Sequence, residues 1–415
     1  MQCGNREIEI RRLKCYIIKE ALQGSGFIIS DENPNASIIW WDGLIHNDEF
    51  SGVKNNQRIN KIPGMDVICY KSTLFQGLNQ MQILFPQYYN FFPTSFLLPH
   101  QYLDFQKEHM RLYAKYGSNL TWIFKPQSGC CGNGIKLIQN PFLLLNDTSP
   151  AIIQRYVNPF LLDGYKFDFR FYILISSLNP LSVYIFKEGI ARFCTRKYKT
   201  PSKLNLDDKF GHITNTAINI ENKEASINYT RTFTDVYEEL KGVDERAFHL
   251  WTKVKSVALL TILSVYPQAV ASITSLQKLT EKSPRIDQLS KYFHILGIDI
   301  LLDDSLNPVL LELNDRPSMK VSFPCEEGIK RSLISDAIKI VALNEDTNSG
   351  WEKLLPSSEG SPLSSIVRSV QQRSLNVFGP KQSMLNFQST KQIVYPKPHV
   401  DKNRLLMRSL RYSYQ

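Results

Sequence analysis

Alternating and helical spacings of hydrophobic residues divide the chain into predicted strands and helices. Strict alternation predicts strands over Tyr165–Ser176 and Leu181–Phe186, with Asn179-Pro180 as the turn between them. Apolar residues at steps of three and four predict a helix over Glu245–Tyr266 and another from Ile329 to Ile340. These segments predict a mixed fold in which long helices accompany a hairpin-rich sheet.

The N-terminal third predicts shorter elements. Cys15–Leu22 and Ser37–Trp40 are candidates for a small α/β module. Between residues 63 and 99, four prolines favour an extended chain over a long helix. The next predicted elements are a helix over His100–Tyr116, with Leu103, Met110 and Tyr113 among its apolar positions, and strands over Leu120–Lys125, Ile135–Ile138 and Ala151–Val157.

A second hairpin and a change of composition complete the pattern. Phe293–Asp303 and Asn307–Asn314 predict the hairpin, and after Glu345 the chain is rich in Ser, Gln, Pro, Lys and Arg without a sustained period. We therefore predict an α/β (α+β) fold with four regions. They are an N-terminal domain over 1–65, a central domain over 66–187, a C-terminal domain over 188–345 and a largely irregular basic tail over 346–415.

Composition excludes several classes of protein. The 415 residues are 43% hydrophobic and 21% charged, which is typical of a globular protein and not of a disordered, collagen-like or disulfide-scaffold chain. The longest apolar stretch, Val257–Tyr266, is too short for a membrane span, which needs about 20 residues. The charged N-terminus does not resemble a secretory signal, and seven scattered cysteines suit a reducing cytosol.

The positive charge is concentrated near the C-terminus. The net charge of the chain is +10, and residues 351–415 contain ten Lys or Arg residues against three acidic ones. A nearly neutral body with a basic tail predicts an acidic partner, such as nucleic acid, anionic lipid or an acidic protein surface.

A glycine-rich loop, SGCCGNG, follows the predicted strand that ends at Lys125-Pro126. Gly129, Gly132 and Gly134 would let the backbone approach phosphate oxygens closely. Because the next segment, IKLI, again predicts a strand, the pattern favours a β-hairpin flap over a triphosphate and not a strand–loop–helix site. A plain structural turn is the alternative.

The segment YKFDFRFYIL combines alternation with charge. Its period of two places Lys166, Asp168 and Arg170 on one face and aromatic residues on the other. The charged row predicts a floor for a nucleotide, with Arg170 directed at phosphate. A solvated row of salt bridges is the alternative.

The strongest candidate site is the second hairpin, LGIDILLDDSLNPVLLELNDRP. A four-residue turn would pair Asp303 with Pro308, and the same register places Asp299 opposite Glu312, with Asn314 on the face of Glu312. Burying two facing carboxylates costs several kcal/mol unless a cation neutralises them. Three oxygen ligands suit Mg2+, and a proton-shared or arginine-paired couple is the alternative.

Taken together, the motifs resemble the tubulin tyrosine ligase-like family, and most closely its polyglutamylase branch. They extend from about Trp40 to Leu343 and include KPQSGCCGNGI, YIFKEGIARFCT, GHITNTAIN and the hairpin above. The resemblance implies an ATP-grasp-type ligase core. It further implies that ATP converts a glutamate side chain in an acidic tubulin tail to an acyl-phosphate, which free glutamate attacks to give an isopeptide bond.

The resemblance also implies roles for individual residues. The residues that would contact ATP are Lys125, Cys131, Gly132, Gln154, Arg155, Tyr156, Val157, Lys166, Asp168, Arg170, Thr214 and Asn215. Those that would contact the amino acid are Arg192, Thr216, Thr230 and Asp315, and the Mg2+ ligands would be Asp299, Glu312 and Asn314. Arg170, Arg192 and Glu312 would act in the reaction itself.

Three departures concern which amino acid is added. Many family members have an arginine where Cys131 stands, many have a lysine near Thr230, and the position of Asp315 varies. Glycine therefore remains an alternative to glutamate, and a catalytically silent microtubule-binding relative or a small-molecule ligase are further alternatives. The expected cofactors are ATP and Mg2+. The expected partners are tubulin or microtubules and free L-glutamate, without nucleic acid. The expected state is a monomer in the cytoplasm and cytoskeleton, with a cilium or basal body as a further location.

Overall fold

The computed structural model describes residues 7–31, 33–127, 132–145, 147–225, 227–280, 285–344, 349–355 and 361–376. Four parallel strands near the N-terminus form a first sheet in the order β2-β1-β3-β4. The strands are β1 (Glu7–Arg11), β2 (Ile28–Ser30), β3 (Ile38–Trp41) and β4 (Arg58–Ile59), and helix α1 (Tyr16–Gly24) connects the first two. The small α/β module predicted for this region is confirmed.

Helix α2 (Met65–Ile68) and the longer helix α3 (Lys71–Leu84) follow the first sheet. The prediction of an extended chain here is wrong, because the four prolines flank α3 and none interrupts it. Leu74, Phe75 and Leu78 face the largest hydrophobic cluster, here called the main core, which also contains Phe167 and Phe169. Their burial stabilises a helix whose boundaries the prolines help to set.

A second, antiparallel sheet has the order β5-β8-β6-β7. It consists of β5 (Ser95–Leu98), β6 (Trp122–Pro126), β7 (Lys136–Ile138) and β8 (Ala151–Arg155), with helix α4 (Tyr102–Tyr116) packed against it. The predicted helix and strands are present, but the helix buries a different face. Phe105, His109 and Leu112 are buried, whereas Leu103, Met110 and Tyr113 are exposed.

The third sheet has eight strands and is organised around the long strand β10 (Tyr165–Leu178). Its other strands are β9 (Leu161–Leu162), β11 (Leu181–Phe186), β12 (Ile190–Phe193), β13 (Thr230–Thr232), β14 (His294–Leu302), β15 (Pro308–Asn314) and β16 (Trp351–Lys353). Strand β10 pairs with β14 along one edge and with β12 and β11 along the other. The predicted domain boundary at residue 187 therefore falls inside one sheet.

Helices cover both faces of this sheet. The short helices α5 (Lys209–His212) and α6 (Thr216–Asn219) precede α7 (Phe233–Val243) and α8 (Leu250–Thr280), and the last two are α9 (Pro324–Leu343) and α10 (Pro362–Leu375). The aromatic face of β10 packs with α8 in the main core, and the opposite face packs with α9 in a second core. The charged side chains of β10 project from this second face.

Helix α8 is longer than predicted and continues through Pro267. By length and composition, the helical region Glu245–Leu279 would suffice to cross a membrane. However, 78% of the most apolar 18-residue stretch of this helical region is buried inside the protein, as expected for a core helix. No other helix among the described residues meets the same test.

The basic tail predicted from residue 346 begins with ordered structure. Strand β16 pairs with β11 at the edge of the large sheet, and Trp351 is buried in the second core. Helix α10 buries Ile366, Val367 and Val370 in the main core. The prediction of a largely irregular chain from residue 346 is therefore wrong for β16 and α10, and residues 377–415 lie outside the described part of the chain.

Candidate active site

A cavity of about 570 Å³ opens between the large sheet, the second sheet and the start of α9. Its floor is formed by charged residues of β10, β12, β14 and β15. Predicted site residues that line it are Lys125, Gly132, Lys166, Asp168, Arg170, Arg192, Thr214, Asn215, Thr216, Asp299, Glu312 and Asn314. The structure thus brings together twelve residues that are far apart in the sequence.

Strand β10 supplies the centre of the floor. Lys166, Asp168 and Arg170 face the cavity, while Phe167 and Phe169 are fully buried in the core behind the sheet. The prediction from alternation is confirmed. The charged row is not a solvated surface, because Lys166 and Asp168 retain only 6% and 2% of their exposed area.

The hairpin of β14 and β15 places Asp299 opposite Glu312, as predicted. The pairing near the turn, however, differs from the predicted register by one residue. Leu302, and not Asp303, pairs with Pro308, and a bulge next to Asp299 then restores the register. A bulge lets two consecutive residues face the same side of a sheet. Both Leu311 and Glu312 consequently line the cavity.

Asp299 is held by two arginines. Arg170 donates from Nε and Nη2 to the two carboxylate oxygens, the Nη2 contact being 2.9 Å, and Arg192 Nη2 lies 2.8 Å from Oδ2. Burial by itself would raise the pKa of Asp299, but the two guanidinium groups hold the pKa well below its usual range. The arginine-paired alternative to the metal prediction therefore describes Asp299 in this structure.

Glu312 and Asn314 are less constrained. Glu312 Oε2 lies 3.9 Å from Lys71 Nζ, and Oε1 lies 4.0 Å from Arg170 and 3.2 Å from the Asn314 amide nitrogen. The Glu312 side chain keeps 26% of its exposed area and so remains accessible from the cavity. Among the described residues, no three His, Cys, Asp or Glu side chains form a group suited to a metal, and this set contains two carboxylates and one amide.

Arg192 is shared between two carboxylates. Its Nε donates to Asp168 Oδ1 at 2.7 Å, and Thr214 Oγ1 donates to the other oxygen of Asp168. Burial would lower the pKa of Arg192, but Asp168 and Asp299 hold it well above the usual value. The guanidinium therefore stays charged at the centre of the floor, with part of its donor capacity already in use.

Two lysines differ in their surroundings. Lys166 Nζ donates to the Tyr156 hydroxyl at 3.0 Å and to the His212 carbonyl at 2.7 Å. Lys125 is equally buried, yet no hydrogen bond or ion pair holds it within the described residues. Burial lowers the pKa of Lys125 to about 8. Of the two, Lys125 has its ammonium available for a ligand.

The glycine loop connects β6 and β7, which pair as the predicted antiparallel hairpin. Gly132 has a φ of +84°, and a Cβ at this position would lie 2.5 Å from Ile218 Cδ1 and 3.3 Å from Asn215 Oδ1. Only glycine fits such a close approach in this conformation. Residues 128–131 lie outside the described residues, and with them the predictions for Gly129 and Cys131.

The segment predicted to bind adenine is the end of β8 in the second sheet and the two residues after it, and none of the four lines the cavity. Gln154 is fully buried and lies opposite Ile123 of the cavity wall, and its Oε1 has no hydrogen-bond partner among the described residues. The Arg155 side chain instead contacts the Tyr116 ring at 4.7 Å, so the prediction of an ATP contact can apply only to its backbone. Tyr156 binds His212, and Val157 follows without a hydrogen bond among the described residues.

Of the residues predicted to contact the amino acid, Arg192 and Thr216 line the cavity, whereas Thr230 and Asp315 do not. Thr230 lies opposite Arg192 with a buried hydroxyl that has no partner among the residues described. The neighbouring Arg231 pairs with Glu239 and lies near the Phe193 ring. Asp315 is absent from the cavity lining, but it pairs with Arg316, which lines the cavity, so its carboxylate lies beside the site and not in it.

Several lining residues were missed at the sequence level. The polar and charged ones on β10, at the end of β15 and near α9 include Tyr172, Arg316, Lys320, Ser322, Glu326 and Lys330, and Lys71 lies at the start of α3. Lys330 keeps 3% of its exposed area, donates to the Lys320 carbonyl at 2.5 Å and lies 3.3 Å from Glu326. The signal was a lysine and a glutamate four residues apart on one helical face, which by itself usually indicates a surface pair.

Comparison with known proteins identifies the relatives of this chain. The model for the tubulin-tyrosine ligase family matches residues 51–349. A probable beta-tubulin polyglutamylase of Tetrahymena thermophila is 33% identical over 75% of this chain and 26% of its own length. Tubulin polyglutamylase TTLL11 of Homo sapiens is 36% identical over 74% of the chain, and TTLL13 of Mus musculus is 32% identical over 84%. Each alignment covers 44% of those two relatives, so the chain spans less than half of their length.

Proposed function

This chain belongs to the tubulin-tyrosine ligase family, and from that premise we propose that it is an ATP-dependent tubulin polyglutamylase. It would join the amino group of free glutamate to side-chain carboxylates of glutamates in acidic tubulin tails. The relatives named above are called tubulin polyglutamylases, which supports tubulin as the substrate and association with the cytoskeleton. The observation that carries the proposal is the cavity, where a buried row of alternating cations and carboxylates faces a glycine loop.

The nucleotide would occupy the side of the cavity formed by the second sheet. Within the part of the chain that the structure describes, Gln154 offers a buried acceptor without a partner and Lys125 offers an unpaired ammonium, and Gly132 leaves space that a side chain would fill. The acceptor on Gln154 fits an adenine, the space at Gly132 fits the phosphate chain, and the Lys125 ammonium fits the negative charge of a phosphate. When bound, ATP supplies the phosphoryl group that activates the acceptor carboxylate as an acyl-phosphate.

Magnesium would be held by Glu312 and Asn314. Both face the cavity with oxygen ligands, and Glu312 contacts its cationic neighbours only at 3.9–4.0 Å. Hard oxygen donors beside a phosphate site suit Mg2+. Asp299 would contribute chiefly by fixing Arg170 and Arg192, and it would reach the metal only by giving up part of that pairing.

The protein residues would act by positioning charge. Arg170 and Arg192 stay protonated on a buried floor, so they can stabilise negative charge that develops on transferred phosphate and on the attacked carbonyl without reorganising. No side chain needs to serve as a nucleophile, because bringing the two reactants together supplies much of the acceleration in such reactions. Asp168 holds Arg192 in place and accepts from Thr214.

The incoming amino acid would bind at the α9 end of the cavity. Arg192 retains unused donors, the Thr230 hydroxyl lies opposite it, and Lys330 adds a second buried cation. A lysine ammonium has three N–H donors, and two of those of Lys330 are directed to Lys320 and Glu326. Two cations suit an amino acid that carries two carboxylates, which favours glutamate over glycine.

The direct test is mass spectrometry of tubulin tails after incubation with ATP, Mg2+ and each amino acid. We expect mass increments of glutamate, which depend on ATP and are absent with Glu312→Gln. Increments of glycine would redirect the proposal to a glycylase. An absence of any increment, with bound microtubules, would indicate a silent relative and refute the ligase proposal.

A further inference from the structure

The loop over residues 195–209 follows β12 and ends at the first residue of α5, and it carries several cations and one fully exposed apolar side chain. Four of its lysines are exposed: Lys197, Lys199, Lys203 and Lys209. Leu204, in the middle of the loop, keeps 97% of its exposed area. Leu204 is therefore accessible to a partner surface, in the same segment as four exposed lysines.

The loop has a defined shape without a partner. Asn205 Oδ1 accepts from the Ser202 backbone N–H at 2.6 Å, and its Nδ2 donates to the Thr200 carbonyl at 3.1 Å. The Asn205 carbonyl is 3.1 Å from His212 Nε2, at the edge of the active-site cavity. One side chain thus closes the turn that presents Leu204, so little ordering would be required on binding.

Two further contacts fix the loop to the body of the protein. Gln139 Nε2 donates to the Pro201 carbonyl at 3.2 Å, and the Tyr198 N–H donates to the Gly164 carbonyl at 2.9 Å. Pro201 is itself buried. The lysines therefore lie on a loop whose backbone is held against the body of the protein.

The charge of the loop is not neutralised locally. Arg196 pairs with Asp208 at 2.8 Å, which leaves Asp207 as the other acidic residue of the segment. The four exposed lysines form no ion pair with any described residue, and Lys197 makes only a ring contact, 5.9 Å from the centre of Tyr165. The net field over the loop is positive.

We propose that the loop over residues 195–209 is a docking surface for an acidic, glutamate-rich polypeptide, with Leu204 as its apolar contact. This proposal rests on the proposed function, in which the protein that accepts glutamate has tails with many carboxylates. Lysines attract carboxylates as point charges. The exposed leucine and the acidic Asp207 fit a protein surface better than a phosphate backbone. The loop would retain the acceptor polymer beside the cavity while a tail enters it.

The test compares two triple variants of the full chain. The loop variant carries Lys197→Glu, Lys199→Glu and Lys203→Glu. The control variant carries the same change of charge on two helices, as Lys107→Glu, Lys115→Glu and Lys278→Glu, all of which are exposed. Binding is measured to microtubules by co-sedimentation and to poly-L-glutamate by fluorescence anisotropy, at low and at physiological salt. Ligation of a short glutamate-rich peptide is measured in parallel.

We expect the loop variant to bind both polymers at least about ten-fold more weakly at low salt, and the control variant to change by less than about two-fold. Leu204→Ser should weaken binding without altering its salt dependence. Equal weakening in both triple variants, no weakening in the loop variant, or tighter loop-dependent binding to a DNA duplex would overturn the proposal. Failure of the proposed function would appear separately, as a wild-type chain that ligates no amino acid.

Discussion

At the scale of single residues, Lys125 is distinguished by a buried ammonium with no partner among the described residues. Its pKa is lowered to about 8 by burial, so the free enzyme loses this charge as the pH rises through about 8. We predict that the KM for ATP rises over that interval. Lys125→Arg should flatten the profile, because an arginine stays protonated there. A wild-type KM that is constant between pH 7 and about pH 9 would contradict this role.

Glu312 provides the second prediction at this scale. Glu312→Gln removes one anionic oxygen at nearly constant volume and should lower turnover by about 100-fold or more, since a metal ligand acts directly on the transferred charge. The variant protein should still fold, because the Glu312 side chain is partly exposed. Asp304→Asn, an exposed acid-to-amide change on the same hairpin, is the matched control. Near-normal turnover of Glu312→Gln at saturating Mg2+ would remove the residue from the metal site.

Lys330 offers a cleaner test of amino-acid binding than Arg192. Arg192→Ala would leave Asp168 and Asp299 without their shared cation, so a loss of activity could reflect a damaged floor. Lys330→Gln should raise the KM for glutamate by about 10- to 100-fold, the value of one charged hydrogen bond, while the KM for ATP changes little. Lys330→Arg should restore part of the affinity. Arg331→Gln, on the exposed side of the same helix, serves as control.

The sequence predicted which residues face the cavity better than what those residues bind. Alternation along β10 is a local property, so the shared face of Lys166, Asp168 and Arg170 could be predicted. The pairing of Asp299 with both arginines depends on β10 lying between β12 and β14, which the sequence does not specify. The separation of Thr230 from Arg231 likewise follows from the pairing of β13 with β12.

At the scale of elements, the last strand and helix test where the folded unit ends. Trp351, Leu354, Ile366, Val367 and Val370 are all buried there. At about 1.5–3 kcal/mol for each buried apolar side chain, their loss is comparable with the whole stability of a typical domain. Glu352 also accepts from Trp251 at 2.9 Å and pairs with Lys255 of α8.

We therefore predict that a chain truncated after residue 344 is insoluble or unfolds cooperatively at a much lower temperature, whereas one truncated after residue 376 keeps the wild-type Tm. Thermal unfolding followed by circular dichroism distinguishes the two. Equal Tm values for both truncations would mean that β16 and α10 contribute nothing to the core. Trp351→Ala in the full chain should also lower the Tm, because it opens a cavity beside Phe186.

The elements also show why local patterns fail at particular points. The predicted hairpin register was correct at Asp299 and Glu312 but not at the turn, because a bulge adds one residue that alternation alone does not reveal. The proline pattern does not predict helix α3, because the prolines that favour an extended chain lie at its flanks and not within it. Helix α4 was found, but its buried face was decided by packing against β6, where Trp122 donates to His109.

At the scale of the whole molecule, two positively charged regions serve the same predicted partner. One is the supported loop over residues 195–209, and the other is the segment over residues 377–415, which contains seven Lys or Arg residues and one Asp. The cavity is itself lined by eight Lys or Arg side chains against four Asp or Glu side chains. Charge in these two regions would raise the local concentration of the enzyme on an acidic polymer without changing its chemistry.

The final prediction separates this tethering from catalysis. Deleting residues 377–415 should weaken co-sedimentation with microtubules and lower activity on the polymer, yet spare activity on a short tail peptide, which needs no second attachment. The deletion begins after α10, so the core that includes β16 remains intact. The difference between full-length and truncated chains should disappear as salt rises, because exposed charges are screened beyond about 8–10 Å at physiological ionic strength. Equal co-sedimentation of both chains at low salt would show that the loop over residues 195–209 and the cavity suffice for attachment, and would leave the tail without a role in binding.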